Sequence, residues 1–581
     1  MGGGSGSVAF LVSVPCVIFE DDHLLAINKP AGLNTHAPGP YAGEGIYDWL
    51  RHREPRWARL AIIQRLDKQT SGVLIFSKTD SANRSLTEQF ARHTARKKYW
   101  LLSDRHMRRK ELSVKSALVR LGDKHAARPV HTGGELAETR FRVLGSTPGR
   151  TLLEAEPVTG KTHQIRVHAQ ASGFPILGDT LYGGTAAARV HLHAQELSLE
   201  HPATGIVMKF AAPVDFSADS RHTMRSAVID FSETNAYRLI HGAADGWPGW
   251  HLDRFGDFLL SQSEQPLSDE QREAMVNWLT LFSLRGAYHK ILTRQIRRTI
   301  ARQASPQKVL GETAPDEFAA SENGILFGLS FNEGYSVGLF LDQRDNRRRF
   351  LTGHVAAGFE LTERNGVTNP APAPPKRRGA PWAGPAQFPA WEEAVGSSRT
   401  SPSCPLAGME VLNTFAYTCG FSVCAARAGA RTTSLDLSRK YLEWGKRNFA
   451  LNGLNAAQHS FINGDVFDWL RRLAKKQRRF DVVVLDPPTF SQSKEHGVFQ
   501  VEKDFGELVT AAVPLLTASG VLFASTNAAK LTPDHFLAQI TTAIGSARRK
   551  ILRQHYAPQP LDFPITRGEP AYLKTIWLRV G

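Results

Sequence analysis

The sequence predicts a multidomain chain: an α+β unit on a mixed antiparallel sheet, a small α/β central domain, and an α/β doubly wound, Rossmann-like domain. Three observations carry this prediction. A length of 581 residues exceeds what one core organises, at about 100–200 residues per domain. The first third is rich in short alternating apolar runs broken by turn residues, as in VIFEDDHLLAINKPAGL. From Gly408 onward, apolar β-rich runs alternate with amphipathic helical stretches, the pattern of a mostly parallel sheet with ligands at the carboxyl ends of its strands. The expected boundaries are 1–218, 219–330 and 331–581, with a Pro-rich insertion at about 360–406.

Lys plus Arg number 71 against 55 Asp plus Glu, a formal charge of +16 that favours a polyanionic partner over a neutral metabolite alone. The runs Arg105–Arg109, Arg294–Arg302 and Arg347–Arg349 concentrate the charge, although any one such run is usually a solvated face. Cys16, Cys404, Cys419 and Cys424 fall in no metal-ligand spacing and are too few to staple the chain, which fits a reducing cytoplasm and no bound metal. The apolar stretch Val8–Ile18 lacks a basic flank and runs into Glu20, Asp21 and Asp22, so no signal peptide is expected, nor any membrane span.

Two segments of the first unit carry chemistry. Residues 64–72, QRLDKQTSG, place a carboxylate beside arginine, and residues 160–168, GKTHQIRVH, read as a strand, place a second arginine among ring nitrogens. Singly, an Asp–Arg pair is more often a structural salt bridge. Together, with KKYW between them and GFPILGDTLYG after, the segments resemble the RluA-type pseudouridine synthases. The resemblance extends from the Asn-Lys-Pro turn to the closing pair of strand-like runs around His201-Pro-Ala-Thr-Gly. It implies conversion of uridine to pseudouridine without a cofactor, with Asp67 attacking the anomeric carbon or stabilising the charge that develops there. By the same resemblance Arg166 pairs with Asp67, Tyr99 stacks on the uracil and could assist proton removal, and Arg65 helps occupy the space left when the base leaves its stack. Gln64 stands where a histidine is usual. The unit is expected to lack the small N-terminal RNA-binding domain of some relatives, so RNA selection would come from elsewhere.

The second unit reads AYRLIHGAADGWPGWHLDRFGDFLL and then a helix from Asp269 to about Leu284. Asp253 and Arg254 are expected at a hairpin turn of a structural platform. The third unit opens with LFLDQRDNR and is interrupted by PAPAPPKRRGAPWAGPAQFPAWEE, whose proline density disfavours helix and sheet and which carries Lys376–Arg378.

Beyond the insertion, NTFAYTCG (413–420) occupies the first strand-to-helix turn, with one glycine where many cofactor loops have three. Asp436 ends the second strand about 20 residues on, where an acidic residue can bind ribose hydroxyls. Asp465 ends the third, near the expected adenine pocket, and the fourth carries Asp486-Pro-Pro-Thr-Phe before a long helix. These segments resemble the rRNA methyltransferases of the RlmI and RlmK type. The resemblance implies S-adenosyl-L-methionine as cofactor, with Asn413, Tyr417, Thr418, Gly420, Asp436, Asp465 and Asp486 around it.

Methylation at carbon 5 of cytosine needs a nucleophile, usually a thiolate, whereas N7 of guanine already has a lone pair. Ser525, Thr526 and Asn527 stand where RlmI-like proteins carry a cysteine, which favours guanine N7 over 5-methylcytidine. The expectation is a bifunctional enzyme acting on RNA, rRNA of the large subunit first and tRNA as a further possibility for the synthase. The competing readings are a synthase whose methyltransferase region only binds RNA, and a non-enzymatic ribosome-assembly factor. Oligomeric state is not legible.

Overall fold

The computed structural model describes residues 14–107, 109–292, 305–334, 336–362, 404–493 and 497–581. The run Arg294–Arg302, residues Lys376–Arg378 and nearly all of the Pro-rich insertion lie outside them.

Among the described residues the first unit folds around an eleven-stranded mixed sheet. Its strands are not uniformly short: Glu111–Leu121 and Glu135–Thr147 span 11 and 13 residues. At the centre, Leu192–Glu200 lies parallel to Ser71–Ser77 and antiparallel to Arg96–Ser103, so the strand after Asp67 and the strand bearing Tyr99 share one neighbour. Gly72 makes this crossing possible: at φ +114°, a Cβ there would meet the Ala194 carbonyl at 2.2 Å. GKTHQIRVH is not a strand. Left-handed His163, at φ 55°, opens the helix Gln164–Ala171, whose first six residues are all buried. A helix covered on every side shows no apolar stripe, which hid it in the sequence.

The central unit is a five-stranded sheet in which Phe258–Ser263 runs parallel to Gly286–Ile291 and the other pairs are antiparallel. Helix Asp269–Leu281 starts at a Ser268–Gln271 capping box. Asp253 and Arg254 lie inside the strand Trp250–Phe255, not at its turn; the chain reverses at Gly256-Asp257. A charged residue is tolerated there because buried Asp253 receives Arg238 Nε at 2.5 Å.

The third unit is a seven-stranded sheet. Its order runs Ser460–Asn463, Arg431–Asp436, Glu410–Thr414, Phe480–Leu485, Leu516–Thr526, Lys574–Val580, Ile551–Ala557. The first five are parallel and Lys574–Val580 is antiparallel. Strand order reverses between Glu410–Thr414 and Phe480–Leu485, the topological switch point at which doubly wound sheets bind ligands. The hairpin Phe490–Ser493 and Gly497–Gln500 separates Asp486 from its following helix, Val501–Ala512, where a single long helix was expected.

The cores run across the units. One apolar cluster joins Trp49, Trp57 and Phe76 of the first unit to Tyr237, Trp250 and Trp278 of the second, and another joins Phe258 and Phe327 to Phe523 and Trp577 of the third. Arg347, Arg348 and Arg349 are buried in the helix Arg344–Thr352, contrary to their reading as a surface charge patch. Arg347 forks onto Glu322 at 2.7 and 2.6 Å, and Arg348 reaches Glu54 and the Arg53 carbonyl of the first unit. Asp562, fully buried, accepts Arg344 Nη1 and Nη2 at 2.8 and 2.5 Å and the Arg238 amide at 3.0 Å, while its carbonyl accepts Arg225 Nη2 at 3.0 Å.

Removing one partner of such a buried pair leaves an uncompensated charge. Asp562→Ala is expected to lower stability by about 3–5 kcal/mol in denaturant unfolding; a loss below about 1 kcal/mol would show that Asp562 does not hold these units together.

Candidate active sites

In the first unit, a cavity of 620 Å³ is lined by Asp67, Tyr99, Arg166, Arg65, His163 and Lys97, among others. Leu66 is buried and hydrogen-bonded to Thr35, pinning the turn so that half-exposed Asp67 projects into the cavity and exposed Arg65 stands at its rim. Arg166 Nη1 lies 3.3 Å from Asp67 Oδ2, and His163 Nε2 lies 3.7 Å from the same oxygen. The expected Asp67–Arg166 pair thus exists, but it is the weaker of two. Arg166 Nε and Nη2 fork onto Asp179 at 2.7 and 2.8 Å, and Tyr182 stacks under the guanidinium at 4.9 Å. Asp179 and Tyr182 come from GFPILGDTLYG, a motif visible in the sequence although neither residue stood out in it.

The electrostatics separate the groups. Burial draws His163 below the ordinary imidazole range against the pull of Asp67, and its Nδ1 lies 2.8 Å from Tyr182 Oη. Burial, reinforced by the Asp67 charge, pushes the Tyr99 phenol up. Gln64, which also lines the cavity, donates to the Val73 carbonyl at 3.4 Å.

At the switch point of the third sheet, the loop Asn413–Gly420 places Phe415, Tyr417 and Cys419 at φ 53°, 47° and 63°. Alternating left-handed residues fold the loop back on itself through backbone space that glycines usually supply, with the Ala416 amide on the Leu435 carbonyl at 3.0 Å and the Cys419 amide on the Ala416 carbonyl at 2.7 Å. That is why one glycine suffices. Asp436 accepts the Tyr417 and Ser438 amides, each at 2.8 Å, and fastens the loop to the second strand while retaining lone pairs for a ligand. Buried Asn413 donates to Ser422 Oγ at 2.9 Å, and its Oδ1 has no hydrogen-bond partner among the described residues. This orphaned acceptor and the Asp436 carboxylate fit a nucleoside-bearing cofactor.

Three expected cofactor residues have other work. The Thr418 hydroxyl donates to the Gly338 carbonyl at 2.7 Å, Gly420 opens a helix packed against Arg347, and Asp465 follows the third strand rather than ending it, capping the helix Val466–Lys475. Tyr417 packs between Phe340 and Tyr441. Asp486 stands beyond the fourth strand with Gln343 Nε2 3.3 Å from each of its oxygens, and the same Nε2 donates to Ser525 Oγ at 2.7 Å. Burial raises Asp486 to about 6, helped by Asp342 and opposed by Ser525 and Gln343. Gln343 lies in LFLDQRDNR, ahead of the strands of the parallel sheet.

The RNA pseudouridylate synthase family model matches residues 23–171, and the S-adenosylmethionine-dependent methyltransferase model matches residues 399–575. The chain is 39% identical over 221 residues to ribosomal large subunit pseudouridine synthase C of Escherichia coli K12, covering 36% of this chain and 68% of that protein. It is 28% identical over 383 residues to a ribosomal RNA large subunit methyltransferase of Deinococcus radiodurans, covering 64% of this chain and 79% of that protein. A solved human RNA pseudouridylate synthase domain containing 4 aligns at 27% identity and a TM-score of 0.29 over 36% of this chain and 92% of that one. The synthase cavity and the switch-point loop lie within separate matched segments, and the chain belongs to the RluA-type pseudouridine synthase family, fused to an S-adenosylmethionine-dependent methyltransferase domain.

Proposed function

We propose that this chain is a bifunctional rRNA-modifying enzyme, which isomerises uridine to pseudouridine and methylates a guanine at N7, with large-subunit rRNA as its substrate. The observation that carries the first activity is the chain of contacts from Asp179 through Arg166 to Asp67 at the cavity. Asp67 attacks the anomeric carbon of an extruded uridine, or stabilises the cation formed there, as the glycosidic bond breaks. Arg166, always protonated, keeps that carboxylate aimed, and Asp179 keeps Arg166 from swinging away. Protonated Tyr99 forms the wall against the uracil, and Arg65 at the rim is placed to fill the gap left in the RNA stack.

For the second activity, Asn413, Tyr417 and Asp436 hold the cofactor, and Thr418, Gly420 and Asp465 support the loop and helices around it. Bound S-adenosylmethionine supplies an electrophilic methyl group. Asp486, at the mouth of the crevice, orients the acceptor base through hydrogen bonds that only its ionised form accepts fully. The cysteines support N7 over carbon 5. Cys16, Cys419 and Cys424 are buried, with burial pushing each thiol up, Cys16 and Cys419 to about 12. Cys404 lies against Gly429, at the far end of the first helix from the crevice, so none of the four offers a thiolate beside Asp486. The rRNA substrate accords with the charge of +16 and with what the two named relatives modify. No helix among the described residues is long and apolar enough to cross a membrane.

Asp67→Asn is expected to abolish pseudouridine in nucleotide-resolution maps of total RNA, a loss of about 10³-fold or more in vitro, with RNA binding retained. Asp179→Asn should cost about 100-fold through misplacement of Arg166; full activity in that variant would show that Asp67 does not rely on Asp179. Calorimetry should record one S-adenosylmethionine per chain, weakened more than about tenfold by Asp436→Ala, whereas no binding would leave only the synthase half. Because Asp486 must be ionised, kcat/KM for methyl transfer should fall about tenfold per pH unit below about 6. A rate flat to pH 5, or a product identified as 5-methylcytidine, contradicts this mechanism.

A further inference from the structure

The seam between the synthase sheet and the methyltransferase sheet holds three ligand-type side chains that neither activity uses. Glu44 and His52 come from the first unit, in the loop and helix Ile46–Arg53 beyond the cavity wall, and His555 comes from the edge strand Ile551–Ala557 of the third. His52 Nδ1 lies 2.5 Å from Glu44 Oε1, the His52 and His555 rings meet edge to face at 4.4 Å, and the three ligand atoms lie within 4.8 Å of one another. His555 Nε2 is buried and has no hydrogen-bond partner among the described residues. A buried ring nitrogen without a partner is costly and calls for a ligand.

We propose that Glu44, His52 and His555 bind a zinc ion that staples the synthase unit to the methyltransferase unit. Two imidazoles and one carboxylate are the borderline donor set that zinc takes at about 2.0–2.2 Å, with water in the fourth position. Tetrahedral bonds of that length separate ligand atoms by about 3.3 Å. The Glu44–His52 contact therefore opens slightly to admit the ion. His354, the adjacent imidazole, is outside the set, because its Nδ1 lies on Glu360 at 2.5 Å and its Nε2 on the Arg51 carbonyl at 2.9 Å. Arg53, Arg348 and Arg349 line the pocket beside Glu44 and His52 and oppose the ion's charge, Arg348 while paired with Glu54; Arg349 Nε donates to the Val355 carbonyl at 3.0 Å and its Nη1 to Asn346 at 3.3 Å. With three protein ligands and that opposing charge, the site binds less tightly than a closed four-ligand zinc site.

The staple has a consequence for the synthase. Asn34, Thr35, His36 and Pro38 line its cavity, and the same loop continues to Tyr41, whose hydroxyl donates to Asp534 of the methyltransferase at 2.8 Å. Zinc at Glu44 fixes the far end of this cavity wall to the edge strand.

The test uses full-length protein without a polyhistidine tag, stripped with chelator and titrated with Zn²⁺ against a chromophoric competitor. One equivalent is expected, with affinity lowered at least about tenfold in His555→Ala and, from the other side of the seam, in Glu44→Gln. Zinc should raise the thermal midpoint of the parent but not of either variant, each compared with its own metal-free form. His52→Ala provides a third ligand deletion if one variant does not fold. No stoichiometric uptake by the parent, or unchanged affinity in the folded variants, overturns the proposal.

Discussion

A guanidinium removed from water is costly unless a carboxylate meets it, and much of this molecule is arranged around that constraint. Arg225, Arg238, Arg344 and Arg347 are all buried, and each is met by an acid: Asp245, Asp253, Asp562 and Glu322. These pairs sit where the central sheet, the helix Arg344–Thr352 and the last sheet come together, and Arg348 extends the same helix onto Glu54 of the synthase unit. One helix that read as a cationic surface is therefore the internal clamp among three units. The chain's excess positive charge must be counted without it when an RNA-facing surface is considered.

The same constraint acts in the synthase cavity, with a different result. Arg166 is shared between two carboxylates, one fully buried and bidentate, the other half-exposed and singly contacted. The buried pair sets the arginine's position, and the exposed pair leaves Asp67 open to a substrate. Strength and availability are thus divided between Asp179 and Asp67, so one guanidinium is anchored by the first while still touching the second. In the methyltransferase crevice the clamp reappears indirectly: Gln343, the residue just before that helix, carries a neutral donor to Asp486 and leaves its carboxyl raised.

Much of the fold and part of each site were legible beforehand. Alternation of apolar and polar residues marks strands exposed on one face, and continuous runs such as FDVVVL mark strands buried on both, so the doubly wound domain could be read from local pattern. The pattern failed at GKTHQIRVH and at Asp253-Arg254, where a fully buried helix and a paired charge inside a strand remove the contrast between faces. NTFAYTCG was ambiguous for a related reason. Its backbone visits left-handed space at Phe415, Tyr417 and Cys419, residues that carry no propensity for it and hold it only because the surrounding packing does.

By itself, the sequence determined the two enzyme families and the side chains proposed for their chemistry: Asp67, Arg166 and Tyr99 in one unit, Asp436 and Asp486 in another. Only the tertiary structure decided which partner each charged group keeps. It assigned Arg166 first to Asp179, turned Arg347–Arg349 inward, gave Asp486 to Gln343, and set His555 against His52. The physical reason is that motif identity is local, whereas the pairing of buried charge is decided between residues up to hundreds of positions apart and depends on which of them lose water together.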